Sequence, residues 1–361
     1  MLFRLGVKTR LDEFYDFEEE LGRLIAEINA PDTTMIVLKG LRRTGKSSLL
    51  RVALNEAGVP HIVLDVRMLG PLTPEKLYDI AAEALSDLVA RNRKLRRLLE
   101  NVRGLSVSGF TVTFQEKTEK TFLEALRQAE KWAASRGSIL VLAFDEAQDL
   151  RLVPGFDRLL AHIYDYRPRI KLILTGSEVG VLDRLLGKNN PRAPLYGRSY
   201  AEIQTRRLSP SEALDFLERG FREQGASPPA AELEEAVSRL DGIIGWLTAY
   251  GYYRLRLSHR EALNRVIEQG AAIAAQEIEH FLAPRQQART RYLTILKLLT
   301  ARPLTWSQVK RGLQAELGRR IPDNRLSHLL HELQSYGFIE KREGRYEIPD
   351  PLTAQAVLNM R

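Results

Sequence analysis

Cysteine is absent from the 361-residue sequence, which excludes disulfides and thiolate metal sites and fits a cytoplasmic address. Long apolar runs are missing too. The longest, ILVLAF at 139–144, falls far short of the roughly 20 residues a membrane-spanning helix needs and suits a buried strand instead. No membrane is therefore expected among the partners. Residues 1–20 lack the apolar centre of a signal peptide, so none is expected. Internal repeats and low-complexity tracts are absent. Histidines are few, and His328 and His331, three apart, have no third ligand near them, so no zinc pattern arises. Nor is there a G-x-S-x-G string to support a Ser-His-Asp triad.

What is present begins with charge. The net charge is +8, and residues 285–345 account for all of it, with thirteen Lys/Arg against five Asp/Glu. A basic segment on a neutral body points to a nucleic-acid-facing module, although a solubilising surface would look the same. The length suits two or three domains.

Strand and helix patterns alternate through the first half. Residues 14–29 read as an amphipathic helix, 35–39 (MIVLK) as a buried strand and the segment from Ser47 as a helix. A second strand, 61–66, precedes one long helix over 72–100, a hairpin over 105–114 and a helix over 121–137. Strands at 138–145 and 170–176 follow, with 201–208 as a fifth. Such alternation predicts an α/β fold with a parallel sheet covered on both faces and ligands at the strands' carboxyl ends. From Ser209 the pattern is helical: 209–224, 229–239, 245–257 and 259–283. Beyond Pro284, three helices (291–300, 305–317, 322–337) and a basic hairpin (338–348) read as a winged helix-turn-helix. The expected domains are thus an α/β core at 1–207, a helical lid at 208–283 and a winged helix at 284–361.

The sharpest motif is Gly40-Leu41-Arg42-Arg43-Thr44-Gly45-Lys46-Ser47, which matches G-x-x-x-x-G-K-[ST] between a strand and a helix. Its glycines permit the backbone to curl so that successive N–H groups cradle phosphates. Lys46 is placed for the β- and γ-phosphates and Ser47 for Mg²⁺, at the positive end of the helix that continues through Ser48. ATP or ADP with Mg²⁺ is the implied ligand. An apolar strand ending in two acids is the expected second part. Asp145 would hold the metal opposite Ser47, and Glu146 would orient the attacking water, unless it is only an acid at a loop start. Thr175 or Ser177, at the end of the strand 170–176, could sense the γ-phosphate, although Gly176-Ser177 also reads as an ordinary turn. For the cation that meets transition-state charge, Arg198 is the first candidate and Arg192 the second, in cis or reaching a second copy in an oligomer.

Together GLRRTGKSSLL, VLAFDEAQDL, LILTGSEVG, PLYGR, LDGIIGWL and YEIPDP resemble the archaeal ATPase family, in the STAND branch of the AAA+-related P-loop ATPases. The resemblance covers nearly the whole chain. It implies a 5-1-4-3-2 strand order, a helical lid, a C-terminal winged helix and a nucleotide-controlled switch. Replication-initiator ATPases are similar in architecture, which keeps open a DNA-acting initiator or loader, with duplex DNA meeting 285–345. A protein-interaction hub that holds ATP, its winged helix facing a protein partner, is the third reading. Two departures stand out. Phe17 occupies the place of the family's F-D-R-E arginine, and Gly242-Ile243-Ile244 replaces its G-x-P lid turn.

Overall fold

The computed structural model describes residues 1–66 and 73–360. Five parallel strands form the central sheet: β1 (Met35–Lys39), β2 (His61–Asp65), β3 (Leu140–Asp145), β4 (Ile170–Gly176) and β5 (Ala201–Gln204), in the order β2-β3-β4-β1-β5. This is the 5-1-4-3-2 order that the resemblance implies. Strand side chains alternate between faces. Met35, Val37, Leu142, Phe144, Leu172 and Leu174 point into one core, against helices Pro74–Ala90, Glu119–Ala134 and Phe156–Tyr166. Ile36, Leu38, Val141, Ala143 and Ile173 point into the other, against Glu18–Asn29 and Lys46–Ala57. Both faces are covered, which is why the strands read as unbroken apolar runs. Two buried lysines are the exceptions, Lys39 at the end of β1 and, within β4, Lys171. Its ammonium donates to the carbonyls of Glu27, Ile28 and Ala30, closing the carboxyl end of helix Glu18–Asn29.

Three expectations change in detail. The long helix over 72–100 is two helices, Pro74–Ala90 and Arg93–Glu100, because Arg91 ends the first and Asn92 leaves helical geometry (φ −141°) to open the second. Leu72 lies outside the described residues. Helices Phe156–Tyr166 and Val179–Leu185, given no element in the sequence reading, supply the crossovers around β4. A last helix, Pro351–Asn359, follows the tail YEIPDP and is capped by Asp350, whose carboxylate accepts from the Leu352 N–H.

The lid comprises Pro210–Arg222, Ala230–Leu240, Ile244–Arg254 and His259–Leu282. Ser209 and Ser258 open the first and last of these with reciprocal Ser–Glu caps. Phe3 is fully buried in this lid, 4.8 Å from Phe221 and 5.7 Å from Phe216. The N-terminal segment thus straps the core to the lid: Lys8 N–H donates to Ser48 Oγ (3.0 Å), and Leu2 N–H to Glu223 (2.9 Å).

The winged helix has helices Arg289–Ala301, Trp306–Leu317 and Asp323–Ser335 and a small antiparallel sheet, in which Arg345–Glu347 pairs with both Leu304–Thr305 and Glu340–Arg342. Its core also takes in Ala271, Ala274, Ile278 and Phe281 from the lid's last helix and Val181 from the ATPase core. One helix therefore serves two hydrophobic cores.

Candidate nucleotide site

The phosphate loop runs from the end of β1 into helix Lys46–Ala57, at the carboxyl edge of the sheet. Gly40 (φ 153°) and Gly45 (φ 90°) hold backbone conformations in which other residues are strained. A Cβ on Gly40 would collide with Thr205, whose hydroxyl also pairs with that of Thr44 at 2.7 Å. The loop is thus a shaped backbone cradle that fits phosphate. Lys46 is buried within it, donating to the carbonyls of Gly40 (2.9 Å) and Leu41 (2.6 Å).

Beside the loop, β3 and β4 bring four candidates together. The Thr175 hydroxyl donates to Asp145 and accepts from the Glu146 N–H. Glu146, at φ 58°, turns its carboxylate toward Ser177, and Oε2 accepts from Ser177 N–H (3.0 Å), Ser177 Oγ (2.6 Å) and Gln148 Nε2 (2.6 Å). Asp145, Glu146, Thr175 and Ser177 are all buried. Carboxylate and hydroxyl oxygens at Asp145 and Ser47 form a donor set suited to a hard cation such as Mg²⁺.

Arg198 lies elsewhere. It precedes β5 at the end of the sheet away from the loop, since Ala201 aligns with Ile36 and Gln204 with Lys39. Its guanidinium binds the Asp165 carboxylate (2.5 and 3.0 Å) and stacks on Tyr164. Arg192 is exposed in the same loop. Neither joins the site within this chain.

The chain matches, over residues 14–249, the profile of a family described as an ATPase domain predominantly from Archaea. It belongs to that family. The chain also matches, over 286–348, the C-terminal winged helix-turn-helix domain of MCM proteins. The Walker-type ATPase PABY2304 of Pyrococcus abyssi is 33% identical, with a TM-score of 0.80, and the alignment covers 99% of this chain and 100% of that one. The ORC2 protein of Aeropyrum pernix, solved as ADPNP–ADP complexes, shares the fold at 13% identity and TM-score 0.59, over 99% and 96% of the two chains. A search of curated proteins finds no match.

Several residues around the site carry no sequence signal of their own. Glu178 lies in LILTGSEVG, where the sequence points to no role for it. Its Oε1 accepts from Arg42 (2.8 Å), its Oε2 is buried without a partner among the described residues, and burial pushes its carboxyl up to about 7 against the pull of Arg42. Gln148, within VLAFDEAQDL, likewise carries no signal of its own. Glu277 gives no signal either, because an acid on a helix face is ordinary. The two departures from the family have physical accounts. Phe17 is buried among the aromatic residues at the lid. Ile244 is the first residue of a helix, where proline is also tolerated, and lies 3.7 Å from where a Gly45 Cβ would be.

Proposed function

We propose that this ATPase is a molecular switch: it binds Mg-ATP between core and lid, hydrolyses it slowly to ADP and phosphate, and passes the nucleotide state to its winged helix. The observation that carries the reading is the contact just after β4. Gly180, three residues beyond Ser177, meets the end of helix Asp323–Ser335, which holds the place of the recognition helix in a helix-turn-helix, so closely that a Cβ would lie 2.6 Å from Ser335 Cα. Arg184 adds an ion pair with Glu332 (2.7 Å). Movement at Thr175 or Ser177 would therefore reach the winged helix directly.

In the site, Lys46 would leave the loop carbonyls for the β- and γ-phosphates, and Ser47 and Asp145 would hold Mg²⁺. When bound there, the metal draws charge from the phosphate oxygens. Glu146 would orient the water, but the three donors on its Oε2 hold the carboxylate against β4. That restraint, with Arg198 paired to Asp165, supports slow turnover within a single chain.

A second reading, a DNA-acting initiator or loader, rests on the surface of the winged helix. Arg319, Arg320 and Arg325 are exposed. Burial, and after it the like charge of Arg325 and Arg319, hold the pKa of the Arg291 guanidinium below its ordinary value. An ATPase assay on the full chain, with and without duplex DNA at several salt concentrations, separates the two. The switch predicts slow turnover indifferent to DNA, and DNA stimulation would transfer the case to the second reading. Lys46→Ala is the control, expected to lose tight ATP binding by calorimetry, since the loop loses its cation.

A further inference from the structure

Arg42 and Arg43 of the phosphate loop do not only flank the cradle. Both reach the lid carboxylate Glu277, Arg42 at 3.2 Å through one oxygen and Arg43 at 3.0 Å through the other. Arg42 also binds Glu178 of the core (2.8 Å) and lies over Phe338 of the winged helix, 5.7 Å from the ring centre. Arg43 lies over the lid's Trp246 at 4.4 Å and within 4.0 Å of Asp350, which itself accepts from Trp246 Nε1 at 3.1 Å. The backbone joins in. Gly245 N–H donates to the Arg43 carbonyl (3.0 Å), and a Cβ on Gly245 would lie 2.9 Å from Arg43 Cβ, so a larger residue would have to push the lid off the loop. Arg43 itself holds φ 64°, a conformation uncommon for a side-chain-bearing residue and one that surrounding contacts must maintain.

We propose that Arg42 and Arg43, with Glu277 as their shared acceptor, form the latch that couples phosphate in the loop to the lid and the winged helix. This rests on the switch reading and names its coupling residues. Three carboxyl groups, those of Glu178, Glu277 and Asp350, surround the two guanidinium groups here. A γ-phosphate entering the same loop adds negative charge beside the two cations and competes for them, as charge-assisted bonds to phosphate are strong. ADP offers less competition. The latch is therefore closed with ADP and weakened by ATP.

The test is hydrogen exchange on the full chain with ADP and with a non-hydrolysable ATP analogue, read at the docking segments 179–185 and 335–338. In the wild type, exchange there should be faster with the analogue. In Glu277→Gln it should be fast already with ADP, by about ten- to a hundredfold, the range for losing a partly buried bond to a charged group. Near-UV circular dichroism checks that the variant is folded. Asp350→Asn, whose side chain still caps the last helix, should give a smaller change in the same direction. If the wild type responds to nucleotide while both variants behave as wild type, the latch is wrong and the switch survives. If the wild type exchanges alike with ADP and the analogue, the switch reading fails and the latch falls with it.

Discussion

Glu146 and Glu178 flank the same buried corner and differ in what surrounds them. Glu146 accepts from a backbone N–H, a hydroxyl and an amide, so the neighbouring residues fix its direction. Glu146→Gln keeps the shape but cannot polarise water as a carboxylate does. It should bind ATP and fail to turn it over, and turnover at the wild-type rate in a single-turnover assay would remove Glu146 from the chemistry. Glu178 has one oxygen on Arg42 and one buried without a partner among the described residues, with its pKa raised to about 7 from 4.5. Between those values the folded protein holds a proton that the unfolded chain has released, so stability falls as pH rises through that window. Glu178→Gln removes this dependence. From about pH 4.5 to pH 8 the variant should gain on the wild type by up to about 3 kcal/mol in denaturant titrations. Asp350 and Glu340 are also raised by burial, but both remain in the variant, so the difference isolates Glu178. Parallel curves for the two proteins would show that Glu178 titrates as an ordinary carboxyl.

At the level of elements, the first four parallel strands were legible because burial on both faces turns each into an apolar run, and the first lid helix because Ser209-Pro210 announces its start. Asp145, Glu146, Thr175 and Ser177 could be placed together from strand ends alone, since parallel strands end on one edge. What sequence could not give was the next contact out. Helix Val179–Leu185 is a short segment after a turn, too brief for a helical period to stand out. Its docking partner, Ser335, is distant in sequence. Arg198 was drawn toward the site by its loop's composition, yet the register of β5 fixes it at the other edge. Gly180 tests the unforeseen contact. In Gly180→Ala the new Cβ would meet Ser335 Cα at 2.6 Å and Ser335 Oγ at 2.6 Å. A backbone atom cannot rotate away, so the recognition helix must shift. A cost of about 1–3 kcal/mol, typical of overpacking, is expected in denaturant titrations, with faster exchange at 335–338. Unchanged stability and exchange would mean that the interface yields freely and transmits little.

For the whole molecule, the decisive feature is the helix His259–Leu282, whose first half belongs to the lid core and whose second half belongs to the winged-helix core. Lid and winged helix share this helix, so on the switch reading a rotation of the lid about the phosphate loop would carry the recognition helix with it. The same sharing means that a fragment starting after Pro284 would lack Ile278, Phe281 and Leu282 in its core, so DNA binding has to be measured on the full chain. The end of the recognition helix is committed to the core through Glu332 and Ser335, but Arg325 and His328 near its start are exposed. On the wing, Lys341 and Arg345 are exposed, and Arg342 is matched to Glu340 (3.1 Å) and Glu347 (3.7 Å). If this surface meets duplex DNA, the four basic residues should not contribute equally. Replacing Arg325, Lys341 and Arg345 by alanine should lower the slope of log K against log salt by about 0.9 for each phosphate that is no longer neutralised. Arg342→Ala should change it less, because its charge is already balanced within the wing. The weakening should be uniform across DNA sequences, as bonds to phosphate carry no base information. Binding that is absent at low salt with both ADP and an ATP analogue would exclude the DNA reading. The coupled lid and winged helix would then present this face to a protein partner.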